Sequence, residues 1–442
     1  MSLLVLAFAV FVTNQAAQPA SGDVRTRARV LLDALTSESY SAVAAEFDDK
    51  MKAAMPVARL AAMWSAVLAQ AGDFTSCDAD SRLVPIGDKR MVITSCTFDR
   101  GRVDVQFAFD AAGKVSGFVT RPGPTAVAPV AYSLPPYASP DRYVEENVTV
   151  GGPQWPLPGT LTLPSGTARV PAVVLVHGSG PHDRDSTIGP LRPFKDLALG
   201  LASRGIAVLR YDKRSKVFGA RLAAPGSTTT VKEEVVDDAG AAITLLGRHP
   251  RIDAARIFVL GHSLGGTLVP RIAAANPSIA GAIVAAGAAR PLEDIIVEQA
   301  RYLAMVDGTI APAEQSQIDI AMRTRDEIKA LTSADASTTR RISGAPPSYW
   351  LDLRGYDPAA TAAALRTPLL ILQGERDFQV TMEDYARWRT ALASRAGVTL
   401  HSYQSLNHMF VAGTGPSLPS EYAVAAHLDE RVIVDIAQWI LR

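Results

Sequence analysis

Apolar residues recur with two different spacings in the first part of this chain, and the spacing changes near residue 72. Up to that point they recur at helical intervals, which predicts amphipathic helices over residues 24–35, 40–51 and 56–70. Up to about residue 120 apolar and polar residues then alternate, which is typical of antiparallel strands joined by tight turns. We therefore predict a small α+β domain over residues 21–121, with helices packed on an antiparallel sheet.

The second part of the chain alternates short apolar runs with helical stretches. The runs predict strands that are buried on both faces, at residues 172–177, 206–210, 256–260, 279–285 and 368–373. A further strand is predicted at residues 398–403. Predicted helices, such as those at residues 194–203, 233–246 and 264–275, separate most of these strands. This alternation indicates an α/β fold with a mostly parallel sheet covered on both sides. Residues 291–350 are helical and lack a strand, so we predict a lid over about residues 290–352.

Two further segments lie outside these domains. Residues 122–142 are rich in proline and predict an extended linker to a second domain over residues 143–442. Residues 3–12 form an apolar run that is too short to span a bilayer but fits the core of a signal peptide. We expect residues 1–20 to be a cleaved signal peptide and the protein to be exported, either periplasmic or secreted. No Lys or Arg precedes the run, and a buried first strand or helix is the alternative.

The composition excludes some classes of partner. With 48% hydrophobic and 20% charged residues, the chain is a folded globular protein rather than a disordered one. Its 44 Lys and Arg balance its 44 Asp and Glu, so it lacks the net positive charge that attracts nucleic acid or anionic membranes. We expect no nucleic-acid partner and no integral membrane span after processing, and the oligomeric state stays open.

The chain contains two cysteines, Cys77 and Cys96, which cannot form a zinc cluster of thiolates. A turn signal at residues 84–89 lies between them, and a hairpin centred on residues 86–87 would place the two cysteines opposite each other. Facing positions on paired strands allow a disulfide, which an exported protein is expected to form. Two buried free thiols are the alternative.

The main functional signal is the sequence GHSLG at residues 261–265, between a predicted strand and a predicted helix. This is the context of a nucleophile elbow, a strained turn that presents a serine hydroxyl at the carboxyl end of a sheet. We therefore predict Ser263 as the nucleophile, with a plain glycine-rich turn as the alternative. A serine hydroxyl also needs a base to take its proton.

The acid and the base are expected after the serine, in that order. Asp377 ends one predicted strand, and His408 follows the next. Two other histidines lie downstream, but His401 is within a strand and His427 just precedes the last helix. We predict that His408 moves the proton and that Asp377 orients its imidazole, with Glu375 as the alternative acid.

An oxyanion hole needs two backbone amides aimed at the developing negative charge. Leu264, directly after the nucleophile, is the first predicted donor. The second is expected from the sequence HGSG at residues 177–180, where Ser179 is our choice and Gly178 the alternative. His177 is expected to make a structural hydrogen bond.

Three further residues are candidates for substrate binding. His182 and Arg184 follow the oxyanion loop, although internal ion pairs that brace the loop are the alternative. Trp350 in the lid, with Tyr349 and Tyr356, is predicted to line an acyl or aromatic pocket, with helix packing as the alternative.

These motifs carry a family resemblance. Residues 143–442 resemble the α/β-hydrolase superfamily, in which serine, acid and histidine follow in this order. The sequences HGSGPHDRD at 177–185, LRYDKR at 209–214 and LQGERD at 372–377 are similar to those of exported bacterial esterase-like hydrolases related to the dienelactone hydrolases. The resemblance implies ester cleavage through an acyl-enzyme, with no metal or organic cofactor, and with Ser263 where dienelactone hydrolases have cysteine.

The first domain resembles the nuclear-transport-factor-like domain that precedes some bacterial hydrolases, on the residues Tyr40, Phe47, Asp48, Met51 and Trp64. No acid–base constellation is visible in it. A packing, dimerising or substrate-presenting role is expected, or a ligand or partner of its own.

We therefore predict a serine hydrolase that acts on a small-molecule carboxylic ester. An amidase or peptidase is the first alternative and a lactonase the second. A binding module without turnover would be indicated by loss of a triad residue, and the sequence keeps all three.

Overall fold

The computed structural model describes residues 23–86, 89–99, 101–123, 132–224 and 226–442. The chain divides into two compact units, Met1–Pro129 and Val130–Arg442. The predicted signal peptide lies outside the described residues. Within them, every helix is too short or too polar to cross a membrane.

The first unit contains helices followed by strands, as predicted. The helices are α1 (Val24–Thr36), α2 (Tyr40–Ala45), α3 (Asp49–Ala54) and α4 (Val57–Ala71), and the strands are β1 (Phe74–Cys77), β2 (Arg82–Ile86), β3 (Lys89–Phe98), β4 (Gly101–Phe109) and β5 (Val115–Pro122). The antiparallel sheet has the order β1-β3-β4-β5, and β2 also pairs with β3. Leu32, Trp64 and Phe107 are part of the core between helices and sheet.

The single helix predicted over residues 40–51 is wrong, because the structure has two short helices there. Residues between α2 and α3 pair with the start of β5: the Val115 amide donates to Glu46 O (2.9 Å) and the Asp48 amide to Val115 O (2.9 Å). Asp48 then begins α3 by accepting the Met51 amide on its side chain at 2.6 Å. Pairing with the sheet has interrupted the helical pattern.

The predicted disulfide between Cys77 and Cys96 is present, and the two residues are direct partners on β1 and β3. The turn that suggested it is misplaced, because Ile86 pairs with Lys89 and the hairpin is centred one residue later. Residues 78–81 separate β1 from β2, and the pairing register with β3 differs between these two strands. On β1 the register is the one that the predicted turn would give, so Cys77 and Cys96 face each other.

The second unit is built on an eight-stranded sheet. Its strands are β6 (Tyr143–Val150), β7 (Leu157–Pro164), β8 (Val170–Val176), β9 (Ala207–Tyr211), β10 (Ile252–His262), β11 (Gly281–Ala285), β12 (Leu369–Gly374) and β13 (Val398–Tyr403). They lie in the order β13-β12-β11-β10-β8-β9-β7-β6, parallel from β13 to β9 and antiparallel at the β7–β6 edge. The mostly parallel sheet is therefore confirmed.

Helices cover both faces of this sheet. The α-helices of this unit are α5 (Pro193–Ala202), α6 (Arg214–Val217), α7 (Gly219–Leu222), α8 (Asp237–Arg248), α9 (Leu264–Ala275), α10 (Leu292–Ala304), α11 (Pro312–Lys329), α12 (Pro347–Arg354), α13 (Pro358–Ala364), α14 (Met382–Ala391) and α15 (Glu430–Leu441). Along β8, Val174 packs with α8 and α9, whereas Val173 packs with α5 and α15 on the other face. Because both faces of the central strands β8, β11 and β12 are buried, these strands are continuous apolar runs in the sequence.

Helices α10 to α13 form one insertion between β11 and β12, two strands that pair directly. The predicted lid ended at about residue 352, but the insertion continues through α13, which ends at Ala364. Ala362 of α13 packs into the core beside α9, so this last helix of the insertion is attached to the helices that cover the sheet.

The later half of the predicted linker also belongs to the second unit. Tyr132 donates a hydrogen bond to Asp196 at 2.7 Å. Tyr137 is buried and donates to Leu428 O at 2.8 Å. These hydrogen bonds and the burial of Tyr137 fix residues 132–142 on the second unit, so a proline-rich composition alone was a poor guide to an extended linker.

Candidate active site

Ser263 lies at a sharp junction between β10 and α9. Its backbone has φ 57° and ψ −123°, a sparsely populated conformation for a residue with a side chain. The Ser263 amide donates to Ala285 O on β11 at 3.0 Å. A side chain at Gly261 would approach Gly265 O to 2.2 Å, and one at Gly265 would approach Val176 O to 2.3 Å. The two glycines are therefore required for the tight turn, and the predicted strand–turn–helix context is present.

Asp377 and His408 form a buried pair, with side chains 0% and 2% exposed. His408 Nδ1 lies 2.6 Å from Asp377 Oδ2. Asp377 Oδ1 accepts the amides of Gln379 (2.8 Å) and Val380 (3.0 Å), which fix the carboxylate. Because a carboxylate accepts hydrogen bonds, Nδ1 carries the proton and Nε2 of His408 can accept another.

Glu375, the alternative acid, points elsewhere. It is exposed, and its carboxylate accepts a hydrogen bond from Ser402 at 2.7 Å. The two other downstream histidines have separate positions: His401 lies on β13, and His427 contacts Asp196.

The loop that carries His408 is attached to the elbow. His262, directly before Ser263, donates from Nε2 to His408 O at 2.8 Å, and the two imidazole centroids are 4.7 Å apart. The carboxyl ends of β10, β12 and β13 therefore bring the three predicted triad residues to one edge of the sheet. Among the described residues the Ser263 hydroxyl makes no hydrogen bond, and Ser263 lines a cavity.

Two buried histidines at this edge remain neutral. Burial, together with the smaller effect of the neighbouring His408, lowers the pKa of His262 to about 3. Burial likewise lowers the pKa of His177 to about 3. His177 lies 3.0 Å from Asp183 O through Nε2, the kind of structural contact predicted for it.

These depressed pKa values predict that acid destabilises the second unit. The unfolded chain binds a proton at each histidine below about pH 6.5, whereas the folded chain does so only near pH 3, so stability is complete above pH 6.5 and falls as the pH decreases toward 3. Each histidine should contribute a slope of about 1.4 kcal/mol per pH unit in this window. Urea unfolding of the wild type and of His262→Gln at pH 7 and pH 4.5 measures it. A stability difference that is the same at both pH values would contradict the assignment.

Ser179 and Leu264 occupy the positions expected of oxyanion-hole donors. Leu264 is the first residue of α9, where an amide has no acceptor within its helix. Ser179 lines the same cavity as Ser263, and its amide makes no hydrogen bond to the described residues. A side chain on Gly178 would lie 3.1 Å from Ser263 Cβ, so this loop runs directly against the nucleophile.

The three candidate substrate-binding residues have different positions. The Arg184 guanidinium donates to both carboxylate oxygens of Asp212 (3.0 and 2.9 Å) and to the Thr160 hydroxyl (3.0 Å). These are the internal contacts that brace the loop, which was the alternative to substrate binding. His182 lies 2.7 Å from Ser179 O through Nε2. Trp350 is part of a cavity wall, and its indole N–H donates to Ile342 O at 3.0 Å.

A cavity of about 630 Å³ opens beside Ser263 and lies under the inserted helices. Its size fits a small organic ligand. Most of its wall is apolar, and the wall residues from the insertion include Leu292, Ile295, Tyr349, Trp350 and Tyr356. The insertion therefore supplies much of the surface that a substrate would contact.

Sequence reasoning missed the side chains that support this site. Gln373 donates to Asp377 (3.2 Å) and to Val380 O (2.7 Å) from inside the sheet. Lys213 is buried and donates to Gly178 O at 2.8 Å. A polar residue in or directly after a buried strand was the available signal for both of them.

Known proteins are similar in sequence to this chain over most of its length. A family model described as serine aminopeptidase, S33, matches residues 168–413, which is more than half of the chain. A model described as a protein of unknown function matches residues 28–118 and names no fold, so the nuclear-transport-factor resemblance stays a prediction. Esterase EstD from Thermotoga maritima is 36% identical over 408 residues, which cover 92% of this chain and 93% of that protein.

Some solved structures are also similar to part of this chain. A putative dienelactone hydrolase from Klebsiella pneumoniae is 16% identical over 68% of this chain and 99% of its own, with a TM-score of 0.40. Est1E from Butyrivibrio proteoclasticus is 16% identical over 67% of this chain and 99% of its own, with a TM-score of 0.42. The family model matches more than half of the chain, and Esterase EstD is similar over nearly the full length. The chain therefore belongs to the α/β-hydrolase family described as serine aminopeptidase, S33.

Proposed function

We propose that this protein is a serine hydrolase that cleaves small-molecule carboxylic esters through an acyl-enzyme. The observation that carries the proposal is the buried contact between His408 Nδ1 and Asp377 Oδ2. It leaves Nε2 of His408 as a proton acceptor at the sheet edge where the elbow presents Ser263. The similarity to Esterase EstD over nearly the full length supports an ester as the substrate.

The proposed reaction has two halves. Ser263 Oγ bonds to the carbonyl carbon as its proton passes to Nε2 of His408, and the carbonyl oxygen becomes an oxyanion that accepts the Ser179 and Leu264 amides. The intermediate then breaks its bond to the alcohol oxygen, which leaves with the proton from His408. Water, deprotonated by His408, attacks the acyl-enzyme in the same way and releases the acid and Ser263.

An amidase or peptidase is the second candidate, and Glu293 favours it. This carboxylate lies in the cavity wall and is 4% exposed, yet it has no hydrogen-bond or ion-pair partner among the described residues. A buried carboxylate without a partner is suited to an ammonium group of a ligand. Substrates with a free amino group are therefore the informative comparison.

Paired substrates test the proposal. We expect purified protein to hydrolyse a short-chain nitrophenyl ester faster than the matching nitroanilide, because an amine is the poorer leaving group. Mass spectrometry of acid-quenched reactions should find the acyl group on the peptide that contains Ser263. Faster cleavage of an amino-acid nitroanilide, lost in Glu293→Gln, would favour the peptidase. An acyl group on another residue, or no turnover of either substrate class, would contradict the proposal.

A further inference from the structure

Lys213 is a buried cation that the triad does not use. It lies just after β9 and is 2% exposed. Its ammonium donates to Gly178 O at 2.8 Å and lies 3.6 Å from the Glu234 carboxylate. Burial lowers the pKa of Lys213, and Glu234 opposes that shift. A buried charge is costly unless it is paired, and Glu234 is the partner of Lys213.

The contact acts on the peptide group that contains the proposed oxyanion donor. Gly178 O and the Ser179 amide belong to one trans peptide, in which C=O and N–H point in opposite directions. Fixing the carbonyl against Lys213 therefore fixes the direction of the Ser179 N–H. On the other side of this loop, a side chain on Gly178 would lie 3.5 Å from Ser263 Oγ, so the loop and the nucleophile are adjacent.

The neighbouring peptide group is fixed as well. The Ser179 carbonyl accepts a hydrogen bond from Nε2 of His182 at 2.7 Å. In turn, the Lys213 amide donates to His182 O at 3.0 Å. Lys213 thus supports the loop through its ammonium and through its backbone, and the Ser179 amide between the two fixed carbonyls keeps no acceptor of its own among the described residues.

Glu234 connects this arrangement to the insertion. Its Oε2 lies 3.6 Å from the Lys213 ammonium and also accepts a hydrogen bond from the Tyr349 hydroxyl at 3.1 Å. Tyr349 is on α12, and both Glu234 and Tyr349 line the cavity. A continuous polar chain therefore runs from the cavity wall through Glu234 and Lys213 to the oxyanion loop.

We propose that Lys213 is a positioning residue that orients the Ser179 amide toward the oxyanion, and that Glu234 holds the Lys213 ammonium in place for this role. The inference rests on the proposed ester hydrolysis and assigns a function to the Lys213–Glu234 pair. Because the oxyanion exists in the transition states and not in the bound ester, loss of Lys213 should reduce kcat and leave KM nearly unchanged.

The test is Lys213→Met, which keeps the length of the side chain and removes the ammonium. We expect kcat for the nitrophenyl ester to fall roughly 100-fold to 1000-fold, the effect of losing one oxyanion donor, with KM within about threefold of the wild type. The inhibition constant of a trifluoromethyl ketone, which forms an oxyanion on the serine, should rise by the same factor. Lys216→Met, an exposed lysine on α6, is the matched control.

A second variant separates positioning from folding, because Lys213→Met leaves Glu234 without its cation. The double variant Lys213→Met/Glu234→Gln removes both charges, and we expect it to regain thermal stability while kcat stays low. Recovery of kcat with stability would overturn the proposal, as would an unchanged kcat in Lys213→Met. Turnover of the wild type that disappears in Ser263→Ala establishes ester hydrolysis independently, whereas a wild type without turnover overturns both proposals.

Discussion

Replacing Ser263 with alanine is expected to lower kcat/KM for the nitrophenyl ester by roughly 10⁴-fold to 10⁶-fold. The variant lacks the oxygen that bonds to the carbonyl carbon, so no acyl-enzyme can form. Any residual rate would come from substrate binding and from the oxyanion donors. Initial rates of both proteins over a range of ester concentrations measure the ratio.

The matched control for this variant is Ser278→Ala. Ser278 follows α9, is exposed and lies outside the cavity wall. Its hydroxyl makes no hydrogen bond in the described part of the chain, so we expect rates within about threefold of the wild type. Equal loss in both variants would indicate damage to the fold rather than loss of a nucleophile. Equal activity of Ser263→Ala and the wild type would place the chemistry on another residue.

The second large effect is expected for Asp377→Asn, with kcat lowered roughly 10³-fold to 10⁴-fold. The asparagine amide can donate to Nδ1 of His408, which moves the imidazole proton to Nε2. That tautomer cannot accept a proton from Ser263. The neutral amide also stabilises the charged imidazole less than the carboxylate does. Steady-state kinetics and thermal unfolding together separate this effect from a loss of folding.

Glu375→Gln is the comparison for this second variant. Glu375 lies two positions before Asp377, but it is exposed and contacts Ser402 rather than His408. We expect its kcat to stay within about threefold of the wild type. If Glu375→Gln were the impaired variant and Asp377→Asn the active one, the acid of the triad would be Glu375.

Local patterns predicted best where one constraint fixes a whole element. The predicted helix at residues 264–275 and the predicted strand at 398–403 have the observed bounds. The helix begins at the elbow, where Gly261 and Gly265 allow the tight turn, and the strand ends just before the loop that carries His408. Ser263, Asp377 and His408 could be proposed because their order along the chain reflects the order of the strands that carry them.

Other features depend on contacts between distant segments, which periodicity does not contain. The break between α2 and α3 arises from pairing with Val115 on β5, more than sixty residues along the chain. Lys213 reaches Gly178 because β8 and β9 are neighbours in the sheet, and nothing in the sequence near either residue gives that pairing. A polar residue after a strand could be noticed from sequence, but the atom it contacts could not.

Changes in the insertion between β11 and β12 can be separated from changes in the sheet. Because these strands pair directly, as Ala282 does with Leu369, helices can be lengthened, exchanged or lost between them while the strand order stays the same. The strand-end loops that carry Asp377 and His408 follow the insertion and lie outside it. A change in this segment can therefore reshape the cavity wall without a change in the order of the strands that carry the proposed triad.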